Sequence, residues 1–430
     1  MKNNIDLNKL LIHKKLKSGL DVYLFPNKNI SSSYFTLTTR YGGKDIIFST
    51  SKNKNKTPIG MAHFLEHKVF EMENGEDAFN IFSENGASAN AMTSHNKTKY
   101  LFKTSINLEN NLRNLINFVY SPFFTEENVK KEQGIISEEI DMINNKPDYI
   151  LYREIINSVF EKNPITHSNI GSKEDIKQVT KEDLDLCFDT FYNPSNMFLV
   201  GTGNFDIKEV LNIIEDEMSK LKFKKYKPIN LEKFNEPKRV FLSYKEVNEK
   251  IEIPKIAYSI KFKYSDFKFD KKKTKFYLNI ILDLLFSSTS DFLEELIKEK
   301  IITQELYTFI ESNEDDGFLS IICTTKTGDQ LIQKIDKLLE NPKIYKDKFL
   351  KLINGTKGSF IKSLDNIVSV NNNLSNQIFL YNSCDLNFIK FLNSLSFEEI
   401  EYILKTIDFT NKAIVIMKKE DLSNITNNNI

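Results

Sequence analysis

Two histidines and a glutamate lie close together in segment 60–71, GMAHFLEHKVFE. His63 and His67 are separated by one helical turn, so both imidazoles can reach one metal ion from the same helix face. Glu66 borders that face and can accept a proton from a water molecule beside the ion. The alternative is an amphipathic helix that merely exposes these side chains. The order H-x-x-E-H is a variant of the zinc-protease motif, and it predicts His63 and His67 as zinc ligands and Glu66 as the general base.

A catalytic zinc ion usually has a third protein ligand, and segment 132–140, EQGIISEEI, offers the best candidate. Glu132 and Glu139 are two helical turns apart and therefore share a face. We assign Glu139 as the ligand and Glu132 as a residue that hydrogen-bonds a ligand or a water molecule. Glu138 competes with Glu139 for this role. The alternative for the whole segment is an exposed helix with many ion pairs.

The elements around these residues alternate between strands and helices. Thr57-Pro58 predicts the start of the motif helix, and Thr125 predicts the start of the helix that carries Glu139. Segment 222–238 is rich in lysine and contains prolines, which is typical of a linker. It divides the chain into a zinc-binding half, 1–221, and a second half without metal, 239–430. Apolar alternation predicts strands over 15–24, 33–39, 88–102, 197–202, 240–243, 256–262, 306–311, 319–324 and 413–417.

Length and composition exclude several classes of protein. The 430 residues have 59 basic and 59 acidic side chains and are 40% hydrophobic, which indicates two globular domains and disfavours a nucleic-acid partner. The three cysteines are widely spaced, so neither a disulfide framework nor a cysteine zinc site is expected. The N-terminal segment lacks the apolar core of a signal peptide, and no apolar run reaches about 18 residues. We therefore expect a cytoplasmic protein with no membrane partner.

The chain resembles the insulinase/pitrilysin family of zinc metallopeptidases, which includes the mitochondrial processing peptidases. The resemblance is dense in the first half and extends to the second half only in outline. The length and the fragment EHKVFE are most similar to a short bacterial subgroup with two domains. Four segments carry the resemblance: HFLEHKVFE at 63–71, ENGASANAMTSHNKTKY at 84–100, EQGIISEEI at 132–140 and TFYNPSNMFLVGTGNFD at 190–206.

The resemblance implies an α+β fold of two related α/β-roll domains, each an antiparallel sheet packed with helices. It implies Zn2+ in the first half and a peptide substrate that adds as a strand to the sheet edge at 87–93. Ala89, Asn90 and Ala91 would then contact the substrate, and the small side chains there leave room for another backbone. The alternative is an ordinary hairpin strand. His95 follows this segment and is expected at the surface, the alternative being a contact with the substrate.

One feature of active relatives is missing. The resemblance predicts an Arg-Tyr pair in the second half, but no arginine follows Arg239, and segment 290–304 contains neither residue type. Tyr307 lies nearby but out of register. The expected function is therefore a zinc-dependent endopeptidase for peptides or unfolded segments that acts as the metal-bearing subunit of a dimer. The partner would be a paralogue without the motif or a second copy.

Two alternatives follow from the same resemblance. The first is an adaptor that keeps the metal but has little proteolytic activity, since some relatives in the bacterial subgroup are associated with modification of elongation factor P. The second is a peptidase that matures one leader peptide.

Overall fold

The structure is a computed structural model that describes residues 7–51, 53–73 and 75–420. The described residues form two compact units. The first contains the residues up to Asp141, His167–Lys233 and Gly358–Phe391, and the second contains Met142–Thr166, Phe234–Lys357 and the residues from Leu392 onward. Each unit therefore combines segments from both halves of the sequence.

The strands and helices alternate along the chain. The strands are β1 (Ile12–Lys15), β2 (Asp21–Pro26), β3 (Ser33–Thr39), β4 (Ile47–Thr50), β5 (Asn53–Lys56), β6 (Ala87–Thr93), β7 (Thr98–Thr104), β8 (Met197–Gly203), β9 (Ile229–Leu231), β10 (Tyr244–Glu249), β11 (Lys255–Lys263), β12 (Tyr307–Asn313), β13 (Asp316–Thr324) and β14 (Lys412–Lys419). The α-helices are α1 (Met61–Lys68), α2 (Ala78–Glu84), α3 (Leu108–Tyr120), α4 (Glu126–Asn144), α5 (Pro147–Val159), α6 (Lys173–Ile176), α7 (Lys181–Phe191), α8 (Ile207–Lys220), α9 (Lys271–Phe286), α10 (Asp291–Lys298), α11 (Gly328–Glu340), α12 (Lys346–Ser363), α13 (Ile367–Tyr381), α14 (Phe388–Asn393) and α15 (Phe397–Thr406).

The first unit is built on a six-stranded sheet in the order β1-β2-β8-β3-β7-β6. Strands β2 and β8 are parallel, and every other neighbouring pair is antiparallel. Neighbouring side chains of β3 point to opposite faces. Thr36 donates a hydrogen bond to Asn371 of α13, whereas Phe35 stacks on Phe102, which in turn packs against Phe82 of α2. Helices therefore cover both faces, and β6 is an edge strand.

The second unit is built on a five-stranded sheet in the order β10-β14-β11-β13-β12. Here β10 and β14 are parallel and the other neighbours are antiparallel. Helix α5 buries Leu151 and Ile155 against one face, in a cluster with Ala257 and Val415. On the other face the Tyr258 hydroxyl donates to Asp336 of α11 at 2.6 Å. Strands β10 and β12 are the two edge strands of this sheet.

The two sheets share one topology. The order β2-β8-β3-β7-β6 in the first matches β10-β14-β11-β13-β12 in the second, including the single parallel pair. The predicted fold class, two related α+β domains that each consist of a largely antiparallel sheet packed with helices, is confirmed. Within the described residues, no helix combines the length and the hydropathy needed to cross a membrane.

The segment around the predicted linker differs from the expectation in detail. Strand β9 lies inside 222–238 and pairs with β4 in a small three-stranded sheet with β5. The division of the chain at this segment stays a prediction, and the units change between Lys233 and Phe234. A division there would place α5 in the first half and α13 in the second, whereas α5 lies in the second unit and α13 in the first.

The strand predicted at 240–243 is wrong. The backbone amides of Phe241 and Leu242 donate to the carbonyls of Val159 and Ser158 at the end of α5, at 3.3 and 2.8 Å. The strand β10 begins only after these bonds, at Tyr244. The apolar residues of 240–243 therefore continue an irregular connection instead of a sheet ladder.

Candidate metal centre

Helix α1 carries the H-x-x-E-H motif and begins directly after Gly60. Gly60 has φ +88°, in the left-handed region that favours glycine. A Cβ at this position would lie 2.6 Å from the carbonyl oxygen of Ile170. The start predicted at Thr57-Pro58 is therefore three residues early, because Thr57 bonds to the Ile46 carbonyl instead of capping the helix. The close approach of Gly60 to Ile170 therefore determines the residue at which the motif helix α1 begins.

Helix α4 carries the two carboxylates expected beside the motif. Its start at Thr125 is as predicted, because the Thr125 hydroxyl accepts from the Asn128 amide at 3.1 Å while the Asn128 side chain accepts from the Thr125 amide at 2.9 Å. Glu132 lies on the face that this helix buries, and Glu139 is on the same side two turns later.

The three predicted ligands come together in the first unit. One ligand atom each from His63, His67 and Glu139 lie within 4.8 Å of one another. The Glu139 Oε2 atom is 3.7 Å from His63 Nε2 and 3.6 Å from His67 Nε2. Glu138, the competing candidate, is exposed. Two imidazole nitrogens and one carboxylate oxygen around a common point form a donor set typical of catalytic zinc.

Glu132 contacts the side of His67 that faces away from this point. Its Oε1 atom lies 3.0 Å from His67 Nδ1, so an Nδ1–H tautomer donates to the carboxylate and leaves the Nε2 lone pair directed at Glu139 and His63. This is the arrangement by which outer carboxylates orient metal-binding histidines. Glu132 thus contacts a predicted metal ligand, and its role there stays a prediction.

Glu66 points toward the edge strand. The Thr93 hydroxyl at the end of β6 donates a hydrogen bond to Glu66 Oε2. Burial raises the pKa of Glu66, although the Thr93 hydrogen bond and the charge of His67 oppose this shift. A carboxylate with a raised pKa is a better proton acceptor, which suits a general base.

The two histidines have opposite pKa shifts. Burial, together with the nearby His67, lowers the pKa of His63 to about 3, so its imidazole is neutral at neutral pH. Burial alone would lower the pKa of His67, but the hydrogen bond and charge of Glu132, with smaller contributions from Glu66 and Glu139, raise it. Binding of a metal ion requires both rings to be neutral at the coordinating nitrogen.

A pocket of about 510 Å³ opens beside these residues. Glu66 and His67 form one wall, Asn90 and Ala91 of β6 another, and Glu132 belongs to a third. The edge strand exposes Asn90 and half-buries the alanines on either side of it. Two of the three predicted substrate contacts, Asn90 and Ala91, therefore line the pocket, whereas Ala89 does not.

Sequence reasoning missed Thr93 and was wrong about His95. Thr93 has the same strand parity as Ala89 and Ala91, so the period of two could have predicted that its hydroxyl faces the motif helix. His95 was expected at the surface but is only 8% exposed. It lies in the turn between β6 and β7, where its carbonyl accepts from the Lys44 amide at 3.0 Å.

Comparisons with known proteins place the chain in a family. The family model "Insulinase (Peptidase family M16)" matches residues 47–173, and "Peptidase M16 inactive domain" matches 178–345. Uncharacterized zinc protease YmfH of Bacillus subtilis (strain 168) is 34% identical over 93% of this chain and 94% of its own. The chain therefore belongs to the insulinase family of peptidases, as its motifs predicted.

Two solved structures share the fold. A crystal structure described as an M16-like peptidase from Alicyclobacillus acidocaldarius is 28% identical, with a TM-score of 0.89, and covers 95% of this chain and 98% of its own. The periplasmic protease PqqL from Escherichia coli has a TM-score of 0.77 at 16% identity, and the alignment covers 98% of this chain but 49% of PqqL. The second similarity concerns the fold alone, and PqqL is about twice as long as this chain.

Proposed function

We propose that this protein is a zinc-dependent endopeptidase in which His63, His67 and Glu139 bind the ion and Glu66 is the general base. The observation that carries the proposal is the convergence of three ligand atoms from two helices to within 4.8 Å. Exposed acidic groups often cluster without a metal, but His63 is buried and two of the three donors are imidazoles. The zinc protease names of relatives such as YmfH support the same metal.

The surroundings of the three ligands fit zinc. Two histidines and one carboxylate leave further coordination positions open, as in catalytic zinc sites. Glu132 holds His67 so that its Nε2 atom faces the other two ligands. A zinc ion bound there would supply Lewis acidity toward a water molecule and toward the carbonyl group of the scissile peptide bond.

The protein's own residues then position the water, the proton and the substrate. Glu66 accepts a proton from the attacking water and delivers it to the nitrogen of the leaving amine. The Thr93 hydroxyl donates to Glu66 Oε2 and so fixes the orientation of the carboxylate. No side chain has to form a covalent bond with the substrate in this mechanism.

We infer that the substrate is a peptide or an unfolded segment that lies along β6 as an added strand. Edge strands bind extended peptides through backbone hydrogen bonds, and β6 is an edge strand whose last residue, Thr93, contacts the general base. Asn90 and Ala91 line the pocket next to Glu66. Cleavage would therefore occur where a peptide on β6 passes this pocket.

We further infer that the active form is a dimer, either with a paralogue that lacks the motif or with a second copy. The support is the absence of any arginine after Arg239, where the family resemblance predicts a substrate-binding Arg-Tyr pair. PqqL, with about twice the length of this chain, accommodates the same fold in half of a single polypeptide. A second subunit would supply the corresponding half here.

The test is zinc content together with peptide hydrolysis, for the wild type and for Glu66→Gln, alone and with a paralogue that lacks the motif. We expect about one zinc per chain in both proteins and a loss of turnover of at least about 100-fold in the variant, because general-base catalysis contributes 10²–10⁴-fold. Glu138→Gln, on an exposed residue, is the matched control. Full turnover by Glu66→Gln, or zinc-loaded wild type that cuts no peptide in either pairing, would contradict the proposal.

A further inference from the structure

Lys68 is a fully buried lysine immediately after the motif. Its side chain is 1% exposed, which is rare for lysine because removing an ammonium group from water costs several kcal/mol. Lysine side chains are long enough to reach the surface from most buried positions, yet this one ends between two carboxylates. Its ammonium group forms an ion pair with Glu71 and lies 3.8 Å from Glu132 Oε2.

Glu132 joins Lys68 to the candidate metal centre. Its two carboxylate oxygens have different partners, since Oε1 is 3.0 Å from His67 Nδ1 and Oε2 faces the Lys68 ammonium group. The side chain of Glu132 is 11% exposed, so water offers it little compensation. A carboxylate buried to this degree keeps one orientation only if both of its oxygens have partners.

We propose that Lys68 is a positioning residue that holds Glu132, and through it His67, in the orientation that binds the metal ion. The inference rests on the proposed zinc site. Without the ammonium group, Glu132 loses its buried cationic partner and rotates toward the pocket that it lines. His67 then loses the acceptor that fixes its ring, and its Nε2 atom is no longer held toward Glu139 and His63.

Glu71 gives an internal control, because it contacts the same ammonium group but not a metal ligand. Its backbone bridges to Asp77 in the loop before α2, and its side chain is 37% exposed. Glu71→Gln removes the other partner of Lys68 while the pair of Lys68 with Glu132 persists. If Lys68 acts on the metal centre through Glu132, Glu71→Gln should leave the zinc affinity unchanged.

The experiment measures zinc affinity by competition with a chromogenic chelator for the wild type, Lys68→Met, Glu132→Gln and the double variant. Loss of an outer residue that orients a ligand lowers metal affinity about 10–100-fold, and we expect about tenfold for Lys68→Met. A glutamine at 132 carries no charge that needs Lys68, so the double variant should match Glu132→Gln alone. Lys68→Arg, which restores the positive charge, should regain part of the affinity.

Two results would overturn the proposal. One is wild-type zinc affinity in Lys68→Met, and the other is additive losses in the double variant, which would show that Lys68 does not act through Glu132. A lower melting temperature of the zinc-free variant with unchanged zinc affinity would indicate packing alone. Lys68→Gln serves as the neutral variant if Lys68→Met does not fold. Failure of the wild type to bind zinc would instead refute the proposed function.

Discussion

The edge regions of the two sheets occupy matching places in one topology but differ in chemistry. In the first unit α1 packs against edge strand β6, whose residues are mostly small. In the second unit α9 packs against edge strand β12, which carries Tyr307, Phe309 and Ile310. The buried face of α9 is largely aliphatic and aromatic, and no histidine follows His167 in the sequence. The second unit therefore keeps the architecture without the imidazoles of the first.

Buried charged groups show the same contrast. In the second unit Lys261 and Glu236 form an ion pair whose side chains are both fully buried. Lys261 also donates to the carbonyls of Val159 and Arg239, and Glu236 accepts from the amides of residues 161–163. This pair is satisfied by the protein itself, as buried structural groups usually are. Around α1, by contrast, the Glu139 carboxylate lies 3.6–3.7 Å from the Nε2 atoms of His63 and His67, within ion-pair range but too far for a hydrogen bond. This spacing is what a group of metal ligands needs.

The largest expected effect is on stability and lies in the second unit. Lys261→Met leaves the Glu236 carboxylate buried without its cation, so we expect the free energy of unfolding to fall by about 3–5 kcal/mol. Lys255→Met is the matched control on the same strand, since its partner Asp148 is 85% exposed, and it should cost less than about 1 kcal/mol. Denaturant titration measures both. An equal loss of unfolding free energy in the two variants would show that the buried Lys261–Glu236 pair stabilises the protein no more than an exposed pair does.

The same pair predicts the direction of a pH effect. Burial would raise the pKa of Glu236, but the hydrogen bond from Lys261 and those from the amides of Glu161 and Lys162 lower it overall. A lowered folded-state pKa contributes stability above the unfolded value, and this stability is lost as the pH falls through the folded-state value. Acid should therefore destabilise the wild type more than Glu236→Gln.

The next largest effect concerns the metal in the first unit. Glu139→Gln removes the only anionic ligand of the candidate centre, so we expect zinc affinity to fall by at least roughly 100-fold, the upper end of what loss of an outer residue causes. Glu138→Gln changes the adjacent, exposed residue and should bind zinc like the wild type. Competition with a chelator compares the two variants directly.

The reverse outcome, with Glu138→Gln losing zinc and Glu139→Gln keeping it, would assign the ligand to the other glutamate. Loss in neither variant would mean that the convergence at Glu139 is an ordinary cluster of polar side chains. The contrast between the two units would then concern composition alone.

Local spacing explains why the sequence could group most residues of the candidate site. Residues one or two turns apart share a helix face whatever the rest of the chain does, so His63 with His67, and Glu132 with Glu139, could be paired in advance. The need for a third, carboxylate ligand then pointed to segment 132–140 as the partner of the motif helix. Apolar alternation, which is also a local pattern, predicted the strands from β11 to β14 approximately, because they are long and apolar.

Long-range contacts account for what the sequence did not predict. Strand β9 is three residues long and depends on pairing with β4, so no local pattern predicts it. Helix α5 lies in the second unit and α13 in the first. This assignment depends on which sheet each helix covers, which local spacing does not reveal. The burial of Lys68 could not be predicted either, because a lysine after a helical motif usually reaches solvent.

The smallest expected effect concerns substrate binding at β6. The side chains of β6 are mostly small, whereas the matching edge strand β12 carries large ones. Ala91 lines the pocket beside Glu66, so Ala91→Leu fills space that a peptide would occupy while the three metal ligands stay as they are. Overfilling such space costs about 1–3 kcal/mol. We expect kcat/KM for a peptide to fall about tenfold, chiefly through a higher KM, with unchanged zinc content.

Met92→Leu is the control, because Met92 is 48% exposed on the same strand and is not among the residues that line the pocket. It should leave both KM and kcat near their wild-type values. A fall in kcat with unchanged KM in Ala91→Leu would mean that residue 91 acts on Glu66 and not on the peptide. Equal effects of both substitutions would show that any change of side chain on β6 is harmful, and not added volume beside the pocket in particular. A rise in KM in Ala91→Leu but not in Met92→Leu is the one outcome that supports a substrate strand lying against β6. Such a strand would explain why β6 has small residues and β12 does not.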